Sequence, residues 1–434
     1  MMRDFKNKKV TIFGAGKSGT ASARKLVSLG ALVTITEVKK ELEPKIWQEL
    51  TSFGVKLELG GHTASSIEKA EVIVLSPGVH LDLPLLEEAR AKGIPIVSEI
   101  ELAYWFLSKP IIAVTGTNGK TTTTTLIGEM LKAGGKKISV AGNIGNPLVE
   151  VNDSELDYVV AEVSSYQLEA IDRFHPWISV ILNLQPDHLE RHHSMEGYLR
   201  QKARIFQNQG KHDYLVYNLE DAWVVKMVQP AQAKLVGFSW KKIDFLPLRP
   251  EEIKIPGRHN LENSLAAAAV ADLCGISQAK VAEVLRSFPG VEHRIEYVLT
   301  LKGVEFYNDS KATNPDSTLV ALEAFPGREI VLILGGRDKG VDLGKLMQKI
   351  KERVKAAVLI GEAAAKFEEA LRAVGYESFY HAGFSMEKAV KMAFSLALPK
   401  GLVLLSPACA SFDMYQNFEE RGKDFKSTCQ KLKA

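Results

Sequence analysis

Cysteine is scarce in this chain: Cys274, Cys409 and Cys429 are the only three among 434 residues, odd in number and far apart. That excludes a disulfide framework and, without metal-ligand spacing, a zinc knuckle; a reducing cytoplasm is the expected compartment. Long apolar runs are missing too. Nowhere do about 18 apolar residues stand together, as a membrane-spanning helix requires. The first ten residues (MMRDFKNKKV) enter an apolar stretch without the hydrophobic region of a secretory leader, so no membrane partner is expected. A surplus of one charge is also absent, with 55 Lys and Arg against 52 Asp and Glu, a net +3. No segment gathers the dense basic patch that binds a phosphate backbone, which excludes nucleic acid. Repeats and low-complexity tracts are lacking as well. What remains, 46% hydrophobic and 25% charged residues, is the composition of a soluble globular protein. At roughly 150 residues per domain, the length implies about three domains.

What is present is a recurring unit: a short β-branched apolar run, a turn rich in glycine or serine, then an amphipathic stretch of helical length. Residues 10–13 precede Gly14, 111–114 precede Gly116, 330–334 precede Gly335, and 402–405 precede Ser406. The expected fold is α/β in three domains, with borders near residues 98 and 291. The second border follows a helical pair, 260–273 and 277–287, and the turn Phe288-Pro289-Gly290.

The first motif is GAGKSG (residues 14–19), after a strand over 9–13 and opening a helix over 17–29. Glycines there let the backbone turn tightly and approach a diphosphate over the helix N-terminus. A second strand, 31–36, ends at Glu37, where a dinucleotide fold puts its ribose-binding acid. A ligand-free strand-to-helix turn is the plainer reading. Ser76-Pro77-Gly78 follows the strand 72–75 on the same sheet edge.

The second motif is TGTNGKTTT (residues 115–123), again between a strand and a helix. Lys120, at the end of a glycine-bearing loop, suits β- and γ-phosphates, and the Thr121 hydroxyl suits Mg²⁺. The loop is a shortened form, because Val114 stands where the general spacing has glycine. Downstream, the strands 158–161 and 178–182 end in EVSSYQLE (162–169) and NLQPDHLERH (183–192). Glu162 is therefore a candidate Mg²⁺ ligand, and His188 a ligand or phosphate contact. Read alone, His188 is a helix-start residue beside an Asp187 cap. Lys202, in the helical stretch 195–206, reads alone as a solvated surface lysine. The third domain carries NDSKATNPDST (308–318) and LSPACASFDMYQNFEERG (405–422), hydroxyl-rich strand exits suited to a small anionic substrate. Ser310, Thr313 and Asn314 are also candidate caps for a helix from Pro315.

Taken in order, GAGKSG, LSPG, TGTNGKTTT, GNIGNP, EVSSYQLE, NLQPDHLERH, the lysine of QKARIF, GRHNLENSLAA, HRIE, NDSKATNP, LGGRDKG and the 405–422 segment resemble the Mur ligases of peptidoglycan synthesis. NDSKATNP and SPACASFD are similar to the D-glutamate-adding branch. The resemblance implies a Rossmann-like domain over 1–98 that binds the UDP substrate and a P-loop ATPase-like domain with a mostly parallel sheet over 99–291. It also implies a Rossmann-like, amino-acid-binding domain over 292–434. It implies ATP, two Mg²⁺ ions, a carbamylated Lys202, and a monomer acting on UDP-N-acetylmuramoyl-L-alanine and D-glutamate. By the same resemblance Gly16, Lys17, Ser18, Gly19, Thr36, Glu37, Ser76, Pro77, Gly78 and Asn143 hold the UDP substrate. Gly116, Thr117, Asn118, Gly119, Lys120, Thr121, Thr122, Asn260, Asn263, Arg294, Asp309 and Lys311 hold ATP. Thr313, Lys339, Ser411, Phe412 and Phe418 form the D-glutamate pocket. Thr121, Glu162, His188 and the carbamate of Lys202 hold metal, and Lys120, Glu162, His188 and Lys202 act in catalysis. A nicotinamide-dependent dehydrogenase would leave TGTNGKTTT without a purpose, and a folylpolyglutamate synthetase-like enzyme would start almost at that loop.

Overall fold

Apolar runs bounded by glycine build three sheets in this computed structural model, which describes residues 4–338 and 340–432. The first contains β1 (Lys9–Phe13), β2 (Leu32–Glu37), β3 (Lys56–Leu59), β4 (Val72–Leu75) and β5 (Ile96–Ser98), in spatial order β3-β2-β1-β4-β5 and parallel throughout. The second contains β6 (Ile111–Thr115), β7 (Ile138–Gly142), β8 (Tyr158–Glu162), β9 (Ile178–Ile181), β10 (Tyr214–Asn218) and β11 (Lys234–Phe238). Its order is β11-β10-β9-β6-β8-β7, again parallel. The third contains β12 (Glu296–Leu301), β13 (Val304–Asn308), β14 (Ile330–Gly335), β15 (Val354–Ile360), β16 (Phe379–Gly383) and β17 (Leu402–Leu405). It runs β12-β13-β17-β14-β15-β16, with only β12 antiparallel to its neighbour.

Position in a sheet follows apolar content. The sequences VIVL of β4, IIAVT of β6 and IVLILG of β14 are buried along their whole length, as strands covered on both faces must be. Of the six edge strands, β3, β11, β12 and β16 expose residues, while β5 and β7 are only partly buried without a fully exposed position. β1 lies between β2 and β4, β6 between β9 and β8, and β17 between β13 and β14. At such points the connections diverge and leave a crevice at the carboxyl ends of the strands.

The chain packs as two compact units, one of residues up to 250 with 261–284, the other of 251–260 with the residues from 285 on. The first unit holds two sheets because a single apolar cluster, including Val10, Ile100, Leu148 and Phe174, runs through both. Glu101, buried in the helix Glu99–Tyr104, accepts N–H bonds from Asp172 (2.9 Å), Arg173 (3.1 Å) and Phe174 (2.8 Å), which adds a charge-assisted joint.

Candidate active site

The turn after β1 opens on a cavity of ≈ 700 Å³ lined by Gly16, Lys17, Ser18, Glu37, Ser76, Pro77 and Gly78 of the sequence-derived set, together with His62 and His80. Gly14 has φ +92, a conformation that side chains rarely adopt. A Cβ on Gly19 would strike Gly14 O and Ser76 Oγ, so small residues set this close approach. Glu37 is buried, and its two oxygens accept from Ala15 N (2.8 Å) and Lys39 N (3.1 Å). Burial opposes its charge, but those N–H groups and the Lys39 cation outweigh burial and hold the carboxyl below its ordinary pKa. Thr36 is fully buried and its hydroxyl contacts Gly61 O and His62 Nδ1. Asn143, after β7, donates to Glu162 Oε1 at 2.9 Å.

The loop after β6 is braced from the neighbouring exit of β9. Thr117 N donates to Asn183 O (2.9 Å), Asn118 N to Asn183 Oδ1 (2.8 Å) and Asn118 Nδ2 to Gln185 Oε1 (3.0 Å). Gly119 takes φ +83, and a Cβ there would collide with Asn263, whose Oδ1 accepts from Thr123 Oγ1 at 3.2 Å. The helix Lys120–Ala133 tolerates its run of threonines because Thr124 and Thr125 return their hydroxyls to Lys120 O and Thr121 O, 2.8 Å each. Thr121 and Thr122 are buried. Lys120 Nζ bends back onto Gly116 O (3.0 Å) and Thr117 O (2.9 Å).

Lys202 is not the surface residue its local sequence suggests. It is 1% exposed, and Nζ donates to Gly116 O (2.9 Å) and approaches Thr115 Oγ1 (3.3 Å), with the Tyr198 ring 4.8 Å away. Burial first, then the Lys120 cation, pushes its pKa well below the ordinary lysine value. The polar surroundings sit on β6, which a helix-only reading of 195–206 does not see. Glu162, 2% exposed at the end of β8, keeps Oε2 buried without a hydrogen-bond partner among the described residues. His188 begins the helix Leu189–His192 with φ 54 and no side-chain cap, so Asp187 is not the cap; it lies beside His188 at 3.5 Å instead.

In the second unit, Asp309 follows β13 and is buried, with Oδ1 accepting from Ile295 N (3.2 Å) and Oδ2 from Ser406 Oγ (2.7 Å). Burial raises its pKa to about 7. Arg294 follows in the turn before β12, bonding Val291 O through its N–H (2.9 Å). Lys311 lies 5.7 Å over the Phe418 ring. Asn314, rather than Ser310 or Thr313, caps the helix Pro315–Glu323 by accepting from Ser317 N. Thr313 is half-buried beside it, Ser411 is buried and Phe412 exposed. Asn260 donates to Pro256 O at 2.7 Å. Lys339 lies outside the described residues.

Motif reading missed three contributors: His62, the brace of Asn183 and Gln185, and Arg421. Arg421 is 1% exposed and ties the two strand exits together through Ser310 Oγ (3.0 Å), Ser310 O (2.9 Å) and Cys409 O (3.1 Å). A signal for it existed. Phe418, Arg421, Phe425 and Cys429 recur at helical spacing along one stripe of the helix Phe418–Lys431, so the arginine falls on the apolar face.

Comparison with known proteins adds to this geometry. Family models match at residues 8–98 (Mur ligase MurD-like, N-terminal domain), 114–247 (Mur ligase middle domain) and 293–409 (Mur ligase, glutamate ligase domain). The UDP-N-acetylmuramoylalanine--D-glutamate ligase of Pelotomaculum thermopropionicum is 44% identical over 456 residues, covering 100% of both chains. That of Clostridioides difficile is 41% identical, covering 99% of this chain and 100% of its own. Among solved structures, the UDP-N-acetylmuramate-alanine ligase of Thermotoga maritima matches with a TM-score of 0.59 at 22% identity, over 98% and 99% of the two chains. The MurF ligase of Thermotoga maritima in complex with ADP matches at 0.58 and 15%, over 99% and 97%. At those identities the likeness shows the fold.

Proposed function

This chain belongs to the Mur ligase family, and from that premise we propose that it joins D-glutamate to UDP-N-acetylmuramoyl-L-alanine at the expense of ATP. The observation that carries the reading is the charge around one loop. Two amines, Lys120 and Lys202, donate to the same Gly116 carbonyl, while a carboxylate oxygen of Glu162 stands buried and unpaired.

A carboxylate resists attack by an amine because its carbon is electron-rich and its leaving group would be oxide. In this reading a carboxylate oxygen of the UDP substrate attacks the γ-phosphorus of ATP, and the bond to the β-phosphate oxygen breaks to release ADP. The unprotonated amine of D-glutamate then attacks the carbon of the acyl phosphate, and phosphate leaves with the original carboxylate oxygen. Lys120 moves from loop carbonyls to phosphate oxygens, with Gly116, Thr117, Asn118, Gly119, Thr121 and Thr122 around them. Asn263 supports the loop at Gly119; Asn260, Arg294, Asp309 and Lys311 are assigned to the nucleotide on the family resemblance alone. Thr313, Lys339, Ser411, Phe412 and Phe418 take D-glutamate, and the cavity beside β1, with Asn143, takes the UDP substrate.

The orphaned Glu162 oxygen fits a Mg²⁺ ligand, and Thr121 and His188 are assigned to the same ion on the family resemblance. Among the described residues no group of three His, Cys, Asp or Glu side chains holds an ion by itself. We propose that a carbamate on Lys202 completes the set, formed when the buried amine, its pKa lowered by burial and the Lys120 cation, adds CO₂ with loss of a proton. Bound Mg²⁺ supplies neutralisation of charge on the γ-phosphoryl group. We place domain borders near 98 and 291, close to the end of β5 and the start of β12, and propose separately that the chain is a monomer working in the cytoplasm. Among the described residues no helix is long and apolar enough to cross a membrane. ADP release measured with and without each substrate tests the reading: it should require both D-glutamate and UDP-N-acetylmuramoyl-L-alanine, and release indifferent to D-glutamate would refute it.

A further inference from the structure

His62 follows the Gly60-Gly61 turn after β3 and lines the cavity next to Glu37 and Val38. Its ring rests against Phe13, centroids 4.7 Å apart, and Nδ1 is 2.9 Å from Thr36 Oγ1. That same hydroxyl donates to Gly61 O at 3.3 Å. A hydroxyl has one hydrogen and two lone pairs, so the one arrangement that makes both contacts hydrogen bonds puts its hydrogen on Gly61 O and has it receive Nδ1–H of the imidazole. Nε2 is then a bare acceptor, and it makes no hydrogen bond among the described residues. Burial lowers the His62 pKa against the opposing pull of Glu37.

In dinucleotide-type folds the diphosphate sits at the first glycine turn and the ribose reaches the end of the second strand. The base end therefore lies at the exits of β2 and β3, where His62 stands. Two residues assigned to the UDP substrate from sequence are engaged elsewhere: Thr36 has no exposed surface, and both Glu37 oxygens bind backbone N–H groups. Resting on the reading of this cavity as the UDP site, we propose that His62 selects the nucleobase by accepting the N3–H of uracil at Nε2. Uracil carries a hydrogen at N3 where cytosine carries a lone pair, so one acceptor pairs with the first base and repels the second.

Calorimetry of UDP, CDP and N3-methyl-UDP on the full chain tests this. The wild type is expected to bind UDP about tenfold more tightly than the other two, the scale of one hydrogen bond. His62→Phe, which keeps a ring against Phe13, is expected to bind UDP about tenfold more weakly and to lose the preference. Thr36→Val, which frees the ring to turn, should narrow the preference by a few fold. A folded His62→Phe that retains the preference overturns the proposal. Should that variant not fold, equal affinity of the wild type for UDP and N3-methyl-UDP overturns it, and a tenfold gap supports it. A wild type that binds none of the three overturns the UDP reading and the proposal together.

Discussion

The glycine turns after β1 and β6 share one architecture and differ in charge. Each leaves a strand flanked on both sides, passes through a glycine of positive φ, Gly14 at +92 and Gly119 at +83, and opens a helix. At the first, Lys17 reaches away to the Gly145 carbonyl and the nearby carboxylate of Glu37 is engaged by Ala15 N. At the second, two amines converge on Gly116 O beside an unpaired carboxylate oxygen. The first turn is suited to binding by shape and backbone, the second to moving a phosphoryl group. The difference comes from single side chains on neighbouring strand exits rather than from the fold they share.

The largest effect expected from this contrast is that of Lys120→Ala. Loss of the cation facing the transferred group should lower kcat about a thousandfold, while the affinity for UDP, read by calorimetry, stays within about twofold. Equal losses at both turns would break the comparison. Lys202→Ala should fall less far, by up to about a hundredfold on the scale of lost ligand-supporting groups, and Lys202→Glu should keep a trace of the carboxylate's effect. Stripping CO₂ from the buffer should depress the wild type alone, and ¹³C-bicarbonate should give a carbamate signal absent from the variant. Full activity of Lys202→Ala would return the residue to a packing role.

A smaller effect sharpens the other side. Glu37→Gln removes charge-assisted bonds to Ala15 N and Lys39 N, each worth about 1.5–3 kcal/mol, and should weaken UDP binding with kcat unchanged at saturating substrate. Separate titrations of UDP substrate and ATP would show a fall in kcat if the turns were not independent. The smallest effect concerns Glu99, which accepts from Val149 N (2.7 Å) at the end of the segment carrying Asn143 and Gly145. Burial raises its pKa from 4.5 to about 7. Between those values the folded chain holds a proton that the unfolded chain lacks. The stability from this group is therefore complete below its unfolded pKa and declines as pH rises through about 7. Glu99→Gln should flatten that decline in thermal unfolding midpoints taken from pH 4 to 8, and an unaltered slope would show that Glu99 does not titrate there.

Much of this was legible in the residues. Runs such as VIVL and IIAVT became strands at the expected places, and both glycine turns sit where strand meets helix. Lys202 was not legible, because a single lysine in an amphipathic stretch looks solvated until β6 is seen beside it. His62 was hidden for a different reason: its partners Thr36 and Phe13 come from other strands, and sheet order brings them together. Arg421 was readable from helical spacing, but a cation on an apolar stripe is easily passed over until the carbonyls it satisfies are known.

The most direct measurement of the central claim follows one oxygen atom. With UDP-N-acetylmuramoyl-L-alanine labelled by ¹⁸O in its reacting carboxylate, mass spectrometry of the phosphate released during ligation should show one labelled oxygen per turnover. Unlabelled phosphate alongside formed amide product would contradict activation through an acyl phosphate.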